Sequence, residues 1–71
     1  MEAKEIFELI IKADEKLKYA TEDKRGTRSM QARQLLEQAR EEARAIGNDA
    51  LVEQAERRLS DLDAIARETG D

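Results

Sequence analysis

Neither cysteine nor histidine occurs in the 71 residues, and proline and tryptophan are missing as well. Without cysteine there can be no disulfide, no thiol nucleophile, no iron–sulfur ligation and no zinc ribbon. Without histidine the chain lacks the usual general base, the usual switch near neutral pH and the commonest metal ligand. Aromatic side chains are reduced to Phe7 and Tyr19, and glycine to Gly26, Gly47 and Gly70. Apolar runs stop at three residues, as in Leu9-Ile10-Ile11, far short of the ~18–20 needed to span a bilayer. The first fifteen residues begin acidic and carry no secretory pattern, so a cytoplasmic location without membrane association is expected.

What remains is charge and helix-forming residues. Charged side chains make up 42% of the chain, mixed in sign, with a net charge of −4. Ala, Glu, Arg, Leu and Gln dominate, all favourable in helices. At 100° per residue, Ala3, Ile6, Leu9, Ile10, Ala13, Leu17 and Ala20 share one face, which predicts a first helix over about 2–21. Thr21 to Gly26 ends that pattern, with Gly26 as a left-handed stop. Thr27 or Ser29 can then cap a second helix over about 28–46, in which Ala32, Leu36, Ala39, Ala43 and Ile46 repeat at 4-3-4-3 spacing. Gly47-Asn48-Asp49 reads as a helix stop followed at once by an N-cap. The third helix, over about 49–69, carries Val52, Ala55, Leu59, Leu62 and Ala66, flanked by Leu51 and Ile65. Connections this short make neighbouring helices antiparallel. The expectation is an all-α chain, one domain over 1–71, folded as a single up-down-up antiparallel three-helix bundle. At this length a core holds the fold by only ~3–5 kcal/mol.

The stretch Ala39-Arg-Glu-Glu-Ala43-Arg-Ala-Ile46-Gly47-Asn48-Asp49, with Ala55 and Leu59 after it, resembles a tetratricopeptide-type array. It is similar to the second helix of one repeat, a tight glycine–acid turn and the first helix of the next. No proline follows the second helix, and no large aromatic sits on either helix. Length and three-helix order also resemble the MIT domain, a bundle that takes short helical peptides in an inter-helix groove. Both resemblances imply a protein–protein interaction module.

Chemistry at a site of this chain is hard to assemble. Carboxylate di-metal bundles use Glu-x-x-His pairs pointing inward; here histidine is absent and the acids lie off the apolar stripes. Glu41 with Glu42, and Asp61 with Asp63, read as solvated faces. The 21–29 loop lacks the alternating acids of a calcium loop. Ser29, Ser60, Thr21, Thr27 and Thr69 have no base to activate them, and the glycines are too far apart for a phosphate loop. The reading is therefore no enzyme, no catalytic residue, no metal site and no cofactor.

Two patches break the pattern. Residues 16–33 hold six cations, Lys16, Lys18, Lys24, Arg25, Arg28 and Arg33, against Glu22 and Asp23. That local net of +4 leaves −8 on the rest of the chain. Arg28 and Arg33 fall near the start of the second helix, where the helix dipole disfavours cations. Either they are held in ion pairs with the far end of the third helix (Asp61, Glu68, Asp71), or they receive an acidic segment of a partner. Tyr19 and Met30 lie off their stripes beside the same loop, and join Arg25, Arg28 and Arg33 as candidate partner contacts. The second patch is Phe7 with Ile11, which widens the first helix's apolar face to about 200°. They either cover core, with Phe7 over Ile46 and Leu51, or form a homodimer seam. The leading functional expectation is a non-catalytic partner-binding module. The runner-up is a structural bundle that self-associates through the first helix. Nucleic acid is disfavoured by the acidic remainder.

Overall fold

The computed structural model describes residues 1–18 and 25–69, apart from the side chains of 25 and 65–69. Three helices follow one another: α1 (Ala3–Lys18), α2 (Arg25–Ala45) and α3 (Asp49–Thr69). No strand occurs among the described residues.

Three helix ends have a local cause that the described residues show. Glu5 reaches back from the first turn of α1 and accepts the Glu2 N–H on Oε1 at 3.1 Å, one half of a capping box. At the end of α2 the Asn48 N–H donates to the Ala43 carbonyl at 2.9 Å, and the Gly47 N–H to the Arg44 carbonyl at 3.1 Å. This is a Schellman closure, which needs a left-handed residue between the two. Gly47 supplies it with φ +70°. Asn48 then starts α3, accepting the Leu51 N–H on Oδ1 at 3.1 Å. The expected stop-then-cap reading of residues 47 and 48 holds at the level of single hydrogen bonds.

The start of α2 differs from expectation. The helix begins at Arg25, not near 28, and takes Gly26 and Thr27 into its first turn. Gly26 is not left-handed; among the described residues only Gly47 has a positive φ. First-turn N–H groups need no partner inside the helix, and a helical glycine costs only about 0.5–1 kcal/mol relative to alanine. One glycine there is too weak a signal to stop the chain. The expected end of the first helix at Thr21 and the position of Ala20 lie outside the described residues.

The centre of the fold is α2, with α1 packed on one flank and α3 on the other; α1 and α3 meet each other only sparingly. Ion pairs mark the directions. The Met1 amino group lies 3.8 Å from Glu42, near the far end of α2. Arg33, early in α2, pairs with Asp63, late in α3. Arg44, late in α2, pairs with Glu56 at 3.6 Å. The order is up-down-up, as expected.

The buried residues are Ile6, Ile10 and Ala13 from α1, Ala32, Leu36, Ala39 and Ala43 from α2, and Leu51, Ala55, Leu59 and Leu62 from α3. Five of these eleven are alanines, which allow close helix axes but bury little area. Stability therefore leans on Ile6, Ile10 and Leu36, the largest fully buried side chains. Two stripe positions shift. Leu51 is buried while Val52 is only half-buried, so the apolar centre of α3 turns toward Leu51. Ile46, expected in the seam, leaves 44% of its surface exposed, because α2 has ended at Ala45 and the chain is already turning.

Candidate partner-binding site

The structure separates the candidate residues. Arg28 and Arg33 are five positions apart, about 140° around the helix at 100° per residue, and so face different neighbours. Arg33 turns toward α3 and donates from Nη2 to Asp63. The ion-pair alternative holds for Arg33, with Asp63 as its partner and not Asp61; the side chain of Glu68 and all of Asp71 lie outside the described residues. Met30 is 64% exposed. Tyr19 lies outside the described residues, as does the side chain of Arg25. Arg25 precedes Arg28 by three residues in the sequence.

Arg28 turns toward α1. With Lys12, Glu15 and Lys16 it lines a cleft of about 540 Å³. A second cleft of about 330 Å³, lined by Lys16, Thr27, Arg28 and Gln31, adjoins it. Lys12 and Lys16 are one turn apart on the same face of α1. Among the described residues, three cations from two helices thus meet one acid. Among the described residues none of these three makes an ion pair, whereas every other arginine with a described side chain does. Arg40 pairs with Glu41, Arg44 with Glu41 and Glu56, and Arg57 with Glu53. Arg58 donates from Nε to both carboxylate oxygens of Asp14, at 3.0 and 3.1 Å. Nor does the first turn of α2 contain an acid, unlike α1 with Glu5 and α3 with Asp49.

The sequence reading missed Lys12, because the cationic window was opened at Lys16. The signal was present in the four-residue spacing of Lys12 and Lys16, which stacks two like charges on one helix face at a mild cost. It also gave no role to Gln31. Gln31 lines the cleft, and its Oε1 is buried with no donor among the described residues.

Phe7 and Ile11 are 44% and 38% exposed. They lie on the opposite edge of α1 from Lys12 and Lys16. Asp14, next along that edge, is tied to Arg58 of α3, so the edge faces the sparse α1–α3 junction. Phe7 does not close over Ile46, since both remain substantially open. Neither side chain belongs to the buried core or to the half-buried residues packed on it, so the shoulder is surface.

No protein-family model matches this chain, and no curated protein or solved structure matches it significantly.

Proposed function

We propose that this domain is a non-catalytic protein-interaction module that receives an acidic segment of a partner protein at the α1–α2 cleft. One observation carries the reading. Lys12, Lys16 and Arg28 converge on one cleft with no ion pair among the described residues, in a chain whose other described arginines are all paired. A cluster of like charges left uncompensated costs stability, and a partner that brings carboxylates removes that cost on binding. The net charge of −4 keeps the rest of the surface unattractive to an acidic ligand, which confines binding to this pole. The tetratricopeptide-like and MIT-like features point to the same class of function.

The test is fluorescence anisotropy with a labelled short polyglutamate peptide at low and moderate salt. The wild type should bind, more weakly as salt screens the contact. Arg28→Gln should weaken binding strongly and Arg33→Gln much less. Absence of binding, or equal loss in both variants, contradicts the reading.

A second reading, self-association through the first helix, draws on the exposure of Phe7 and Ile11. On that reading light scattering detects a dimer that Ile11→Lys dissociates.

A further inference from the structure

Phe7 and Ile11, two large apolar side chains left exposed, stand one turn apart on α1. A charge flanks each of them along the helix, and the two charges are opposite in sign. At 100° per residue Lys4, Phe7, Ile11 and Asp14 fall within about 80° of arc. That arc is centred roughly 110° from the buried stripe of Ile6, Ile10 and Ala13. Along the helix it runs cation, apolar, apolar, anion. α3 leaves it open, since α1 and α3 meet only sparingly.

Both charges are free to take a partner. Lys4 makes no ion pair among the described residues. Asp14 accepts from Arg58 Nε on both oxygens, yet its side chain is 44% exposed, and a carboxylate offers about four acceptor positions.

A stripe of this order is its own complement when reversed. Beside a second copy running the opposite way, Phe7 meets Ile11 and each charge meets its opposite. A copy running the same way would set Lys4 against Lys4 and Asp14 against Asp14. A two-fold contact uses one patch on both copies and closes at two.

We propose that two copies of this chain pair antiparallel through α1, with Phe7 against the partner's Ile11 and Lys4 against the partner's Asp14. The two-fold axis passes level with Leu9. This rests on the self-association reading above and fixes its geometry. Glu8 lies on one flank of the stripe near the axis, where it faces the partner's Glu8; that repulsion and the small apolar patch place the dimer among weak, reversible contacts.

The chain contains no cysteine, so an introduced thiol reports its position without interference. Light scattering over a concentration series first measures the wild-type dimer. Lys4→Cys and Glu15→Cys proteins are then treated with a short bismaleimide, separately and mixed. In the antiparallel register residue 4 lies beside the partner's residues 14 and 15, and about 15 Å from the partner's residue 4. The mixture should therefore cross-link and neither variant alone should. Lys4→Glu should weaken the dimer by about tenfold, because symmetry makes one substitution count twice, with helicity by circular dichroism unchanged. Cross-linking of Lys4→Cys with itself, or a dimer indifferent to Lys4→Glu, overturns the antiparallel pairing while leaving self-association standing. A monomer at every concentration overturns the self-association reading and this inference together.

Discussion

The same substitution at two glycines should move stability in opposite directions. Gly26 sits in the first turn of α2 with ordinary helical dihedrals, and a Cβ built there meets nothing within 4 Å. Alanine at this position narrows the unfolded ensemble without strain, so Gly26→Ala should stabilise by about 0.4–1 kcal/mol. Gly47 also has open space around a built Cβ, but its φ is +70°. The cost there is conformational and not steric crowding from neighbours. Gly47→Ala should destabilise by about 1–2 kcal/mol, the penalty for a side chain in the left-handed region. The Schellman closure depends on that conformation, so relaxing it would forfeit the Asn48 and Gly47 hydrogen bonds as well. In a domain of this size 1 kcal/mol moves Tm by roughly 4–8 °C. Gly26→Ala should therefore raise Tm by about 2–8 °C and Gly47→Ala lower it by about 4–16 °C. Thermal melts followed by circular dichroism at 222 nm read both. A drop on Gly26→Ala would mean that α2 does not begin at Arg25 and that Gly26 is the left-handed stop after all.

Other changes follow from the same structure. Leu36→Ala removes the largest buried side chain of α2 and should cost about 2–5 kcal/mol, enough to leave little folded protein, checked by urea titration. Arg33→Gln breaks the pair with Asp63 but should cost only about 0–1 kcal/mol because both groups are well exposed. Arg28→Gln should leave Tm level or slightly higher, since it removes a cation from a helix start; a clear loss would mean that Arg28 has a structural partner. Phe7→Glu should destabilise the fold more than Ile11→Lys, because the phenyl ring is the larger partly covered group; melts of the two variants decide it.

The legible part of the fold was what repeats. Ile6, Ile10 and Ala13, and Ala32, Leu36, Ala39 and Ala43, stand at helical spacings, and burial follows the spacing. Gly47-Asn48 was legible because stop and cap fall side by side, each fixed by backbone chemistry local to a few residues. Gly26 misled because glycine is tolerated in a first turn as well as beyond a last one, and sequence does not distinguish the two. Ile46 continued the repeat on paper, but the repeat has no meaning once the helix has ended. The site was half legible. A cationic cluster was visible, but grouping by sequence window joined Arg28 to Arg33, which the helix turns toward different neighbours. It also left out Lys12, which α1 brings to Arg28 across the seam. Arg40 and Arg57 find acids on their own helix, at spacings the sequence shows; for Arg33 and Arg58 the packing of one helix on another supplies the partner.

The most direct measurement is a titration of the isotope-labelled protein with the acidic peptide, followed by amide chemical-shift changes. Shifts concentrated at Lys12, Lys16, Arg28 and Gln31, with Phe7, Ile11 and α3 unmoved, are the expected result. Shifts centred on the Phe7 and Ile11 shoulder, or none at saturating peptide, would contradict an acidic-segment site in the α1–α2 cleft.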